Sequence, residues 1–351
     1  MKKHWRAGAA ALCLSLMLTG CGSAEDPITY ALVTGSAGLT GNKAASMAWN
    51  GEQNFAMAGG TSAGRFEAAS QSAEDLDAVI RTAADAGAST IVCVGSDLEQ
   101  AVYSAQNRYK KIHFIMLDGQ PRPAEGEEPS IADNTISVTF DTAQIGYLAG
   151  YAAIREGMRH LSFMAGSHSE AVSRYETGFI KGAEDAAAEL MLGQTDVLID
   201  LVILDSDKLS PLVMQRAMDL YDSGSELIMA YGDAIQKAVI KAAEARDKEV
   251  ATAGSDLRSV SDRVIMGSLS DSAQAVEAAL LSAGQEDFTG GTVERYGAAQ
   301  NSVELGIAYD RLSYFTEADY EQVYEGLAGG SRTIPDGEVI EGTEQVQVVS
   351  Q

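Results

Sequence analysis

Two doubly wound α/β lobes, each a parallel sheet with helices on both faces, are predicted from three observations on this chain. Strand-like apolar runs alternate with helix-like amphipathic runs over most of its length, the pattern of parallel strands joined by crossover helices. The apolar runs are continuous, as strands buried on both faces require. The 351 residues also exceed the ~250–300 at which a single core stops growing.

Residues 28–33 read as an apolar strand. Residues 72–86 form a helix: Ser72 and Asp75 resemble a capping box, and Leu76, Val79, Ile80, Ala83 and Ala84 share one face. Gly87 stops it. Strand 90–94 and a helix through Val102 and Ala105 follow. Strands 112–117 and 135–140 flank a loop at 120–129 rich in Pro, Glu and Gly. Helix 143–155, strand 160–165, helix 173–190 and strand 197–204 repeat the rhythm. Ser210 and Pro211 open another helix, with a cap and a proline in the first turn. Strand 227–230, helix 235–245, strands 250–253 and 264–269 and helix 273–283 complete the series. Gly193 and the Gly329-Gly330 pair read as helix ends, and 337–351 reads as a polar tail.

Residues 1–20 read as a signal peptide. Lys2, Lys3 and Arg6 precede an apolar run, and Leu18-Thr19-Gly20-Cys21 closes it in the pattern of a lipoprotein cleavage site. The run is shorter than the ~20 apolar residues of a spanning helix. Cleavage would leave Cys21 acylated and anchored to the membrane, with 21–27 as a tether. Cys13 leaves with the leader, and Cys93 lies in a buried-strand run as an inert thiol, so no disulfide framework is expected.

Acidic residues number 50 against 25 basic ones, a formal net charge of −25. Such a charge repels phosphate backbones and argues against nucleic-acid partners. No His or Cys pair has metal spacing, and no cofactor motif is present. The glycine-rich segment from Gly35 to Lys43 is not a phosphate loop, because Asn42 separates Gly41 from Lys43. Gly166-Ser167-His168-Ser169-Glu170 is not a nucleophile elbow, so catalysis is not expected.

In open parallel sheets, ligands bind beyond the carboxyl ends of the strands. That rule selects Gly35 and Ser36, Gly95 and Ser96, Asp118, Ser167, Tyr231 to Asp233, Ser255 and Asp256, and Ser270. Asp118 could accept two charge-strengthened hydrogen bonds from a ligand, or it could bond its own turn. The N–H groups of Gly95-Ser96 and Tyr231-Gly232 could meet ligand oxygens, while Ser96 and Asp233 equally suit helix capping. Tyr175 and Tyr231 could offer stacking faces or belong to the core.

Several segments match one family in collinear order. They are Ala31-Leu32-Val33-Thr34, Ala48-Trp49-Asn50-Gly51, Phe114-Ile115-Met116-Leu117-Asp118-Gly119, Gly146-Tyr147-Leu148-Ala149-Gly150, Arg174-Tyr175-Glu176-Thr177-Gly178-Phe179 and Phe288-Thr289-Gly290-Gly291-Thr292. From residue 28 to about 336 the chain resembles the basic membrane protein family, the nucleoside-binding lipoproteins of ABC importers. The resemblance implies a type I periplasmic-binding-protein architecture with a multi-segment hinge. One lobe would take 28–140 with 256–285, the other 141–255 with 286–336. It also implies an extracytoplasmic location, a nucleoside-like ligand, an ABC permease partner and a ribose-binding aspartate, which falls on Asp256 or on the position of Gly254; Asp256 equally suits a helix or turn cap. Its cleft rim would include Gly35, Ser36 and Lys43, with Ser46 in the stretch before Trp49. Where the family carries base-stacking aromatics, this chain has Lys43-Ala44-Ala45-Ser46-Met47 and Leu204-Asp205-Ser206-Asp207, and Ser270 stands where a lysine is expected. A receptor that senses ligand without import, and a binder of another ligand class, fit the same sequence.

Overall fold

The continuous apolar runs become the inner strands of two separate sheets. The computed structural model describes residues 28–206, 208–285, 288–335 and 344–351; Cys21 and the leader lie outside them. The chain begins with β1 (Tyr30–Thr34), α1 (Gly38–Gly41), α2 (Lys43–Ala58), β2 (Ala63–Glu67), α3 (Ala73–Asp85), β3 (Thr90–Val94), α4 (Glu99–Arg108), β4 (His113–Leu117) and β5 (Thr135–Phe140). It continues through α5 (Thr142–Arg155), β6 (His160–Ala165), α6 (Glu170–Glu189), β7 (Leu198–Ile203), α7 (Pro211–Asp222), β8 (Leu227–Tyr231), α8 (Asp233–Arg246), β9 (Glu249–Ala253) and β10 (Val264–Ser270). Last come α9 (Ser272–Ala283), β11 (Thr292–Tyr296), β12 (Val303–Ile307), α10 (Glu317–Ala328) and β13 (Gln347–Ser350).

The first sheet runs β11-β5-β4-β3-β1-β2 and the second β12-β10-β9-β8-β6-β7-β13. Among the described residues, every pairing is parallel except β10 with β12, which is antiparallel. Inner strands such as β3 and β4 are buried on both faces, which their unbroken apolar runs require. Helix starts follow local chemistry. The Ser72 hydroxyl accepts the Asp75 N–H, and Ser210 caps α7 with Pro211 in its first turn.

Two glycine pairs decide the packing of the second lobe. Gly146 and Gly150 on α5 face Gly178 and Gly182 on α6. A Cβ on Gly150 would lie 2.0 Å from the Phe179 carbonyl oxygen, and one on Gly178 only 1.9 Å from that of Ala143. Only glycine permits these backbones to touch.

The division of the chain differs from the expected one in three places. Val264–Ser270, expected in the first lobe, bonds to β9 and β12 in the second sheet. Thr292–Tyr296, expected in the second lobe, pairs with β5 in the first. The chain therefore crosses near Asp141, Asp271 and Gly297. These crossings bond one another: Asp141 N–H to the Tyr296 carbonyl at 2.8 Å, Asp271 N–H to the Ser302 carbonyl at 2.8 Å, and Ala298 N–H to Gln144 Oε1 at 2.7 Å. The third difference is the C-terminal end of the expected tail, where Gln347–Ser350 joins the second sheet beside β7. Val346 just before it is fully buried, so a largely polar composition hid an edge strand. Among the described residues, no helix is long and apolar enough to cross a membrane.

Candidate functional site

The carboxyl ends of strands from both sheets open onto one cavity of about 930 Å³. Lys43, Met47, Asp118 and Phe140 line it from the first lobe. Gly254, Ser255, Asp256, Ser268 and Ser270 line it from the second, with Asp271 and Ser272 at a crossing. A cavity between lobes, with a few converging polar groups, is the usual setting of a small-molecule site.

Asp118 follows the buried run of β4 with φ +60°, a left-handed conformation that Asp tolerates better than most residues. Its N–H bonds the Val138 carbonyl at 3.0 Å, which fixes the backbone. The carboxylate reaches the cavity and has no hydrogen-bond or ion-pair partner among the described residues. It is open to solvent through the cavity, yet the surrounding walls desolvate it enough to raise its pKa above the ordinary aspartate value.

Asp256 sits differently. Arg258 grips both carboxylate oxygens, Nε to Oδ1 and Nη2 to Oδ2 at 2.9 Å each, while its Nη1 donates to the Ile307 carbonyl. Hydrogen bonding from Arg258 lowers the Asp256 pKa, against some desolvation, and the charge of Lys43 on the other lobe adds to the lowering. Gly267 makes room: a Cβ there would lie 2.3 Å from Asp256 Oδ1. Asp256 thus offers a neutralised pair to the cavity, where a bare acid was expected.

Lys43 and Ser270 line the cavity as well, on the first turn of α2 and the end of β10. The remaining candidates lie around it. Tyr175 is 2% exposed, and its hydroxyl accepts the Gly254 N–H at 3.0 Å. Burial pushes its phenol up to about 12. Its ring packs against Tyr231 at 5.5 Å, so this tyrosine props the Gly254 loop and is not a stacking face. Gly35 abuts Asp97, and neither Gly35 nor Ser36 is among the lining residues; the same holds for Gly95, Ser96 and Ser46. Gly232 precedes α8 at φ +98°, outside the lining, and Asp233 pairs with Lys237. Ser255 lines the cavity while its hydroxyl donates to Gln236.

Sequence reasoning missed the last part of the wall: Glu304 on β12 and Tyr320 and Tyr324 on α10. The i, i+4 spacing of the tyrosines was the available signal. Among the described residues, no cluster of three or more His, Cys, Asp or Glu is arranged to hold a metal ion.

A family model described as ABC transporter substrate-binding protein, PnrA-like, matches residues 28–327. The ABC transporter nucleoside-binding protein BmpA of Lactococcus lactis subsp. cremoris is 24% identical over 260 residues, covering 70% of this chain and 69% of that protein. The CD4+ T-cell-stimulating antigen of Listeria monocytogenes is also 24% identical, over 96% of this chain and 99% of its own. Among solved structures, an ABC transporter solute-binding protein from Conexibacter woesei superposes with a TM-score of 0.63 at 18% identity, covering 88% of this chain and 99% of that one. At that identity the superposition speaks for the fold alone.

Proposed function

The chain belongs to the PnrA-like family of ABC transporter substrate-binding proteins, and from that premise we propose that it is a lipid-anchored receptor that captures a nucleoside-like solute by closing its two lobes. A protein of this family works outside the cytoplasm and hands a small molecule to a permease. The finer reading rests chiefly on Asp118, an unpartnered carboxylate in the cavity between the lobes. Ligand hydroxyls would donate to it, and each charge-assisted bond contributes about 1.5–3 kcal/mol.

Lys43 and the Asp256–Arg258 pair would meet the ligand from opposite lobes. A ligand touching both lobes stabilises only the closed arrangement, so closure follows occupancy. The first lobe would comprise 28–140 with 272–296, the second 141–270 with the remainder, hinged at Asp141, Asp271 and Gly297. Acylation at Cys21 would hold the receptor beside its permease. The nucleoside named for the Lactococcus lactis relative supports the ligand class, and no step of this mechanism requires catalysis.

Thermal unfolding of the purified protein with nucleosides, free bases, sugars and amino acids tests the reading. A bound nucleoside at a hundredfold excess over Kd should add about 2.7 kcal/mol. A shift with another class and none with nucleosides would discard the nucleoside assignment.

A further inference from the structure

Glu304 stands on β12 between Val303 and Leu305, and its carboxylate lines the cavity without a partner among the described residues. Arg258 is close enough to feel its charge but is committed to Asp256 and the Ile307 carbonyl. Tyr320 and Tyr324 lie one turn apart on α10 and line the same cavity. Their rings stack with centroids 5.8 Å apart and planes 24° apart. The Leu305 N–H donates to the Tyr320 hydroxyl at 3.1 Å, and the Tyr324 hydroxyl donates to the Val303 carbonyl at 2.9 Å. Both rings are therefore pinned to the two residues that flank Glu304. The result is an aromatic wall with an uncommitted carboxylate beside it.

An ionised carboxylate can only accept hydrogen bonds. A planar ring presenting two adjacent N–H donors satisfies both oxygens while it packs against the tyrosines. Guanine has such an edge, with a ring N–H beside an exocyclic amine. Hypoxanthine offers the ring N–H alone. Adenine places an acceptor at the matching ring nitrogen, and xanthine a carbonyl at the exocyclic position, so each sets lone pairs against the carboxylate.

We propose that Glu304, Tyr320 and Tyr324 form the ring-recognising part of the ligand site, and that Glu304 selects an edge with adjacent N–H donors, the guanine type among nucleosides. This rests on the nucleoside reading above. It also supplies from the C-terminal helix the aromatic surface that the stretches before Trp49 and around Asp205 lack.

Calorimetric titration of the whole protein with guanosine, inosine, adenosine, xanthosine and ribose tests it. Guanosine should bind about tenfold tighter than inosine, with adenosine and xanthosine weaker still. Glu304→Gln should weaken guanosine about tenfold and strengthen adenosine, because the amide removes the lone-pair repulsion and offers a donor to the adenine ring nitrogen. Tyr324→Ala, shown by its melting curve to be folded, should weaken every nucleoside together; an unchanged profile would remove the tyrosine from the site. Nucleosides bound without a guanosine preference, or a guanosine affinity unmoved by Glu304→Gln, would overturn the assignment while leaving nucleoside capture intact. No nucleoside bound by the unaltered protein would overturn both.

Discussion

Asp256 and Arg258 form a two-point ion pair across a single intervening residue, with both N–O distances at 2.9 Å. The third guanidinium nitrogen reaches the Ile307 carbonyl, so one side chain ties the loop after β9 to the edge strand β12. Arg258→Gln should cost about 1–3 kcal/mol at neutral pH, because it strands a half-buried carboxylate. The Arg258 hydrogen bonds hold the Asp256 pKa down. The associated stability is therefore present above the unfolded aspartate value and disappears as pH falls through the lower folded value. Urea unfolding from neutral to strongly acid pH should show a flatter acid limb in the variant. Parallel limbs would mean the pair contributes nothing.

Asp118 has the opposite linkage. Desolvation raises its pKa in the folded protein, so its contribution to stability declines as pH rises above the unfolded aspartate value. Asp118→Asn keeps a residue that accepts the left-handed backbone and removes the charge. The unliganded variant should melt no lower than the parent at neutral pH, while ligand affinity falls about a hundredfold. In the parent, affinity should weaken in acid as the carboxyl protonates. Paired melting and calorimetry decide it; an unchanged affinity would place the ligand elsewhere.

The elements legible in the sequence and those that were not differ in a physical way. Inner strands β1, β3, β4 and β8 carry nearly continuous apolar runs, and β6 and β9 add only a buried Ser162 and Thr252, because both faces are covered. The four strands absent from the sequence reading, β2, β11, β12 and β13, are the four edges of the two sheets. Edge strands need no continuous apolar run, and Ala63–Glu67 and Thr292–Tyr296 show mixed exposure. Missing the edges had a cost at the site. Asp118 and Ser270 were found from strand ends, but Glu304 rides on an unseen edge and the tyrosines on the helix behind it. The Asp256–Arg258 pair was likewise invisible, since no periodicity signals a bond between residues two apart in a loop.

Glu52 is a strain on the first lobe. It lies on α2, fully buried, and neither carboxylate oxygen has a hydrogen-bond partner among the described residues. Burial holds its pKa well above the ordinary glutamate value, against a smaller opposing pull from the Leu32 backbone that falls short of hydrogen-bond geometry. The folded state thus favours the protonated form, and stability falls as pH rises above the unfolded value. Glu52→Leu, similar in volume, should add about 1–3 kcal/mol at neutral pH and remove that part of the pH dependence. Denaturation midpoints on either side of neutrality test this. A less stable variant would mean Glu52 is satisfied in solution by a bond absent from this structure.

The C-terminal strand should matter for folding and not for ligand. Gln347 N–H donates to the Val197 carbonyl and Gln351 N–H to that of Leu201, at 2.8 and 2.9 Å. The Gln351 side chain accepts from Arg216 and donates to Asp200 Oδ1, while His160 holds Asp200 Oδ2 at 2.8 Å. Removing residues 344–351 would expose the edge of β7, uncover the pocket of Val346 and take one of two partners from a carboxylate only 3% exposed. Loss of the valine burial alone is worth about 1.5–3 kcal/mol, and the open edge invites strand pairing between molecules. None of these residues lines the cavity. The truncated protein should therefore melt lower and aggregate on heating, yet bind its ligand with unchanged affinity below its transition. Weakened binding in a sample that is still folded would show that the second sheet transmits changes at β13 to the cavity on its opposite flank.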